Sequence, residues 1–128
     1  MEIQAMRFAR WVFLAAGIYG IAVIAPMYFL EGAQAAQGRP VSHPELWYGF
    51  AGVTLAFQVL FLIVSRDPGR LWPAMVACII EKVSFPAAVL PLFLMGRTPW
   101  TVAGFSAIDL VWAVLFFLAY DRVRKLPT

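Results

Sequence analysis

The sequence predicts an all-α membrane protein, a four-transmembrane-helix antiparallel bundle with both ends on the cytoplasmic side. Three observations carry that prediction: an apolar composition, four long apolar runs, and basic residues placed at the ends of those runs. Of 128 residues, 62% are hydrophobic and only 13% are charged. A soluble domain has roughly 45–50% apolar residues and about a quarter charged. A small soluble domain buries only about two-thirds of its chain's surface, so this much apolar side chain has no place to hide in water.

The first run is Trp11 to Leu30. Arg7 and Arg10 precede it, and Ala33-Gln34-Ala35 follows, so a signal peptide has to be considered. A typical signal has an apolar region of about 7–15 residues, shorter than this run, which is read as a retained helix. The second run is Leu46 to Val64, the third Leu71 to Met95, and the fourth Trp100 to Tyr120. Each can cross about 30 Å of hydrocarbon as a helix. Lipid offers no hydrogen bonds to the backbone, which selects helices.

The connections are short. Glu31 to Glu45 is the longest and holds Gly32, Gly38, Pro40, His43 and Pro44. Arg66-Asp67-Pro68-Gly69-Arg70 and Gly96-Arg97-Thr98-Pro99 are turns. Such connections make neighbours antiparallel, in a single domain over residues 1–128. One end then carries Arg7, Arg10, Arg66, Arg70, Arg122, Arg124 and Lys125, and the other only Arg39 and Arg97. The positive-inside rule places the first end in the cytoplasm of a cell with an inner membrane. Trp11, Trp72 and Tyr120 would mark that interface, with Tyr28, Trp47, Tyr48 and Trp100 at the outer one. The net charge of +3 comes from these topology signals. No basic stripe points to nucleic acid.

The chemistry-bearing residues lie inside the runs. Glu81 and Lys82 fall about 15–17 Å into the third run, and Asp109 about 14 Å into the fourth from the other side. All three therefore approach the bilayer midplane. Tyr19, Thr54 and Gln58 reach a similar depth, and Ser84 and Ser106 sit a turn from Glu81 and Asp109. A midplane charge costs at least about 2.5–3.5 kcal/mol, so these groups are expected to face inward and pair. Lys82 with Asp109 is the expected ion pair. Glu81 is about 100° around the helix from Lys82. It is expected to turn toward the first or second helix and to find Tyr19, Thr54 or Gln58. Pro86 and Pro91 are expected to kink the third helix. Gly17, Gly20, Gly49 and Gly52 are expected to allow close helix approach.

The remaining polar features predict no chemistry. Cys78 is the only cysteine and stands in an apolar run, so it reads as a small core residue. His43 with Glu31 and Glu45 would make at most a weak metal site. Pro44 and Glu45 are more simply the start of a helix. One histidine does not supply the two axial histidines of a membrane b-type haem. No catalytic residue, metal or cofactor is expected.

The run His43-Pro44-Glu45-Leu46-Trp47-Tyr48-Gly49-Phe50, with Gln58, Arg66-Asp67-Pro68 and Glu81-Lys82, resembles a group of small uncharacterised bacterial four-helix membrane proteins. The likeness covers nearly the whole chain, and no activity comes with it. The layout is also broadly similar to the DoxX-like proteins. Small multidrug exporters carry a carboxylate in their first helix, and Trp11 to Leu30 has none. The emopamil-binding and sigma-2-like proteins set buried acids around a lipophilic pocket, which Glu81 and Asp109 would suit, without a residue-by-residue match.

The expectation is a non-enzymatic accessory subunit of a membrane assembly, its polar layer at Glu81, Lys82, Asp109, Gln58, Tyr19 and Thr54 fixing helix register. The alternative is a lipophilic small-molecule or lipid binder, or a proton-coupled carrier, centred on Glu81 and Asp109. An enzyme using these acids ranks last. Expected partners are the lipid bilayer, further copies of the chain or a larger membrane complex, and a lipophilic ligand.

Overall fold

Four helices long and apolar enough to cross a membrane make up nearly all of the chain. The computed structural model describes residues 2–127. Helix α1 (Glu2–Ile24) begins well before the apolar run, because Glu2, Gln4, Ala5 and Met6 are good helix formers. Arg7 and Arg10 are therefore helical. Pro26 has no N–H to give to an α-ladder, and the chain tightens into a 3-10 turn over Ala25–Phe29.

The first connection holds a short helix, α2 (Glu31–Ala36), where the sequence predicted only loop. Gly38 stops it with φ +77°. Its N–H bonds to the Ala35 carbonyl and that of Arg39 to the Gln34 carbonyl, the pairing of a Schellman motif. Two side chains tie this connection to the next helix. Trp47 Nε1 donates to the Met27 carbonyl at 2.9 Å, and Tyr48 Oη donates to Glu31 at 2.7 Å.

Helix α3 (Pro44–Arg66) opens on Pro44 and Glu45, as expected of a proline at the first turn and an acid at the positive dipole end. Asp67 then caps a single turn, α4 (Pro68–Leu71), by accepting from the Arg70 N–H. Pro73 forces a second 3-10 turn over Trp72–Ala74 before α5 (Met75–Leu94). The third span is thus built of three pieces, and the one helix predicted from Leu71 begins in earnest at Met75. Helix α5 runs unbroken through Pro86 and Pro91. Gly96, at φ +73°, ends it in a second Schellman pairing, Gly96 to Phe93 and Arg97 to Leu92. Helix α6 (Trp100–Arg124) completes the bundle.

The helices form two tight hairpins, α1 with α3 and α5 with α6. The hairpins meet mainly through α1 against α6, and less through α3 against α5. Small residues allow this: Ala5, Ala9, Ala16, Gly17 and Gly20 join Val12 and Phe13 on the buried face of α1. Gly17 lies against Leu62 and Gly20 against Gln58, whereas Gly49 faces open space and Gly52 meets only the Tyr28 hydroxyl. Close approach is therefore a property of α1, not of both glycine pairs.

The core is aromatic. Phe13 of α1 stacks on Phe116 of α6 with centroids 4.2 Å apart, and Phe61 of α3 sets its edge to Phe116 at 4.9 Å. All three rings are fully buried, and Cys78 packs in the same cluster. Aromatics also mark both ends, with Trp72 on Tyr120 at the basic end and Tyr28 on Tyr48 at the other.

Candidate functional site: a charged layer within the bundle

The residues that α5 and α6 send into the bundle's middle form a three-membered charged cluster. Lys82 Nζ lies 3.5 Å from Asp109 Oδ1 and 3.7 Å from Glu81 Oε2. The lysine is 3% exposed, and its ammonium stands 5.1 Å over the Phe61 ring of α3. That ring face is electronegative and favours a cation. The carboxyl side chains retain 14% and 18% exposure, so the cluster is covered on its lysine side and thinner on its acid side.

The Lys82–Asp109 pair is the one expected from the hairpin. Glu81 is not placed as expected. It shares Lys82 with Asp109 and makes no hydrogen bond to Tyr19, Thr54 or Gln58. The backbone angle of about 100° between neighbours separates Cα–Cβ directions, not the tips of long side chains. The flexible lysine stem reaches back to the acid beside it.

The other layer residues divide. Gln58 is completely buried and donates from Nε2 to its own helix, at the Thr54 carbonyl, 2.9 Å away. Thr54 thus enters the layer through its backbone. The Gln58 amide lies on Gly20, where any side chain would collide with it. Tyr19 turns to α6, its ring 5.8 Å from Trp112, a turn beyond Asp109. Ser84 and Ser106 bond back to the Glu81 and Ala103 carbonyls of their own helices. Two acceptors in the layer, Gln58 Oε1 and Glu81 Oε2, are buried without a hydrogen-bond partner. Phe61 and Gly20 are the members that sequence reasoning missed as parts of this layer. Phe61 sits one turn beyond Gln58 on α3, and that spacing was its only signal.

Comparison with known proteins adds no assignment. No family model, no curated protein and no solved structure matches this chain.

Elsewhere, His43 Nδ1 is 3.6 Å from Glu45 on an exposed helix start. Glu31 accepts a hydrogen bond from Tyr48. Among the described residues, no three His, Cys, Asp or Glu side chains gather into a metal-holding group. Two shallow hollows lie along α1, and neither is lined by Glu81, Lys82 or Asp109.

Proposed function

We propose that this chain is a small multi-pass protein of a bacterial inner membrane, both termini cytoplasmic, DoxX-like in layout, that serves as a structural or accessory subunit of a membrane assembly. The observation that carries this reading is the self-paired Glu81–Lys82–Asp109 cluster. Its lysine is 3% exposed and is held by groups of its own chain. Charges set this way act as interhelical fasteners. The topology follows from seven basic residues at the terminal end, Arg7, Arg10, Arg66, Arg70, Arg122, Arg124 and Lys125, against Arg39 and Arg97. Broad apolar faces, including Ile80, Val111, Val114 and Phe117, remain outside the bundle for lipid, a second copy or another subunit.

The test is purification from native membranes in mild detergent, with mass determination of the particle and identification of its proteins. A defined homo-oligomer or a stoichiometric partner supports the accessory reading. A monomer with no companion overturns it.

A second reading, a proton-coupled carrier or lipophilic-ligand binder at Glu81 and Asp109, is favoured by two buried acceptors that receive no hydrogen bond, Gln58 Oε1 and Glu81 Oε2. They would welcome a donor. In that case Glu81→Gln changes pH-dependent uptake into proteoliposomes while leaving the particle assembled. An accessory subunit shows no such uptake before or after the substitution.

A further inference from the structure

Helix α1 presents two faces. The inward face is made of Ala5, Ala9, Val12, Phe13 and Ala16. The outward face carries Arg7, Arg10, Trp11, Leu14 and Ile18, at the three- and four-residue spacing that stacks side chains along one side of a helix. This outward face bears a shallow, open groove, lined by Arg7, Arg10, Trp11 and Leu14, with Ser65 from the end of α3 and with Glu2. A second hollow of about 360 Å³ shares Trp11 and Leu14 and continues over Ala15, Ile18 and Tyr19. Together they form one track, guanidinium at the end of the bundle and hydrocarbon toward its middle. From Arg7 to Tyr19 the helix rises about 18 Å, a little over half of the hydrocarbon thickness of about 30 Å.

The charges on this track are uncommitted. Among the described residues, Arg7 and Arg10 are in no ion pair, whereas Arg124 and Lys125 at the same end both hold Asp121. Two guanidinium groups against the single carboxylate of Glu2 leave the wall positive. Exposed Arg66 and Arg70 add to the field, because α4 packs on the start of α1 with Gly69 facing Met6. Arginine matches a phosphate with two parallel hydrogen bonds, and Trp11 has the amphipathic ring that settles at headgroup level.

We infer that this track is a binding site for one anionic phospholipid of the surrounding bilayer, its phosphate held by Arg7 and Arg10 and an acyl chain laid along Trp11, Leu14 and Ile18. The site is separate from the Glu81–Lys82–Asp109 cluster and stands whether or not the chain is an accessory subunit. A polar head at one end and an apolar shaft along the rest is the pattern of a lipid. A polypeptide helix would need complementary side chains along the whole track.

The experiment is native mass spectrometry of the purified protein after exchange into mixed micelles of dioleoylphosphatidylglycerol or dioleoylphosphatidylcholine. The wild type retains one phosphatidylglycerol through detergent activation and does not retain phosphatidylcholine. The double variant Arg7→Gln, Arg10→Gln loses about thirty-fold in apparent affinity for phosphatidylglycerol, the effect of two basic residues at an anionic surface. Arg122→Gln with Arg124→Gln, at the same end but off the track, keeps it. Leu14→Trp fills the apolar part, leaves both arginines in place, and also releases the lipid. It serves as the test if the arginine variant does not fold. Equal retention of both lipids would overturn the proposal. So would equal loss in the two arginine pairs, or retention by Leu14→Trp. A photo-crosslinker at position 14 that captures a polypeptide instead of lipid would overturn it as well.

Discussion

Lys82→Met removes the ammonium and keeps most of the stem's bulk. Two contacts disappear, at 3.5 Å to Asp109 and 3.7 Å to Glu81. With an effective dielectric of about 20, each is worth about 4–5 kcal/mol of Coulomb energy before desolvation is counted. Removing the ammonium also relieves its insertion cost of about 2.5–3.5 kcal/mol. Measured polar contacts between membrane helices are smaller still, about 0.6–2 kcal/mol each, because separated helices find other partners in the membrane. Two contacts on that scale give an expected loss of about 1–4 kcal/mol. The assay is reversible unfolding in mixed micelles with rising sodium dodecyl sulfate, followed by far-ultraviolet circular dichroism. A double-mutant cycle with Asp109→Asn then isolates the pair, with a coupling on the order of 1–2 kcal/mol expected. If Lys82→Met unfolds within about 0.5 kcal/mol of the wild type, the ion cluster contributes nothing and the fastener argument fails.

Other substitutions probe the same geometry. The triple variant Glu81→Gln, Lys82→Met, Asp109→Asn strands no charge and should return to within about 1 kcal/mol of the wild type in the same titration, since replacing a whole buried ionic group is often near neutral. Gly20→Ala drives a methyl into the Gln58 amide and should cost about 1–3 kcal/mol, most of it recovered in Gly20→Ala with Gln58→Ala. Gly96→Ala places a side chain at φ +73° and should cost about 1–2 kcal/mol, with hydrogen exchange rising at Gly96 and Arg97 rather than in the mid-helix.

The sequence was most informative where lipid itself dictates the answer. Four spans and their antiparallel order follow from hydropathy and loop length, and the structure has four such helices. The Lys82–Asp109 pair was legible for a related reason: two ionisable groups at one depth on the arms of a hairpin have few other partners. Boundaries were less legible, because hydropathy does not see helix propensity. Glu2–Arg10 carries the charges Glu2, Arg7 and Arg10 and is helical, and Glu31–Ala36 is a helix inside a connection. The break before Met75 is a matter of Pro73, which apolar counting overlooks. Glu81 was misplaced because the helical wheel treats side chains as rigid spokes. Gln58 folding back to Thr54, and Tyr19 turning to Trp112, depend on which hairpins dock against each other. That docking involves pairs distant in sequence, which periodicity within one helix does not encode.

The docking also limits what the charged layer can do. Glu81, Lys82 and Asp109 all belong to the α5–α6 hairpin, so their ion pairs fasten that hairpin and not the two hairpins to each other. Toward the other hairpin the cluster sets Lys82 over the Phe61 ring of α3. The hairpins are joined instead by the Phe13–Phe116 stack and the Phe61 edge. The expectation that the charges set the register of the whole bundle is therefore narrowed to α5 against α6. Two variants separate these roles. Phe116→Ala should cost about 3–5 kcal/mol if the site behaves like a soluble core. It should loosen α1 from α6 while α5–α6 stays paired. Lys82→Met should do the reverse. Engineered cysteine pairs across each contact, placed in a Cys78→Ala background, report the two separations by their crosslinking yields. If Phe116→Ala lowers the α5–α6 yield as much as the α1–α6 yield, the bundle comes apart as one unit and the division of labour between charges and rings is wrong.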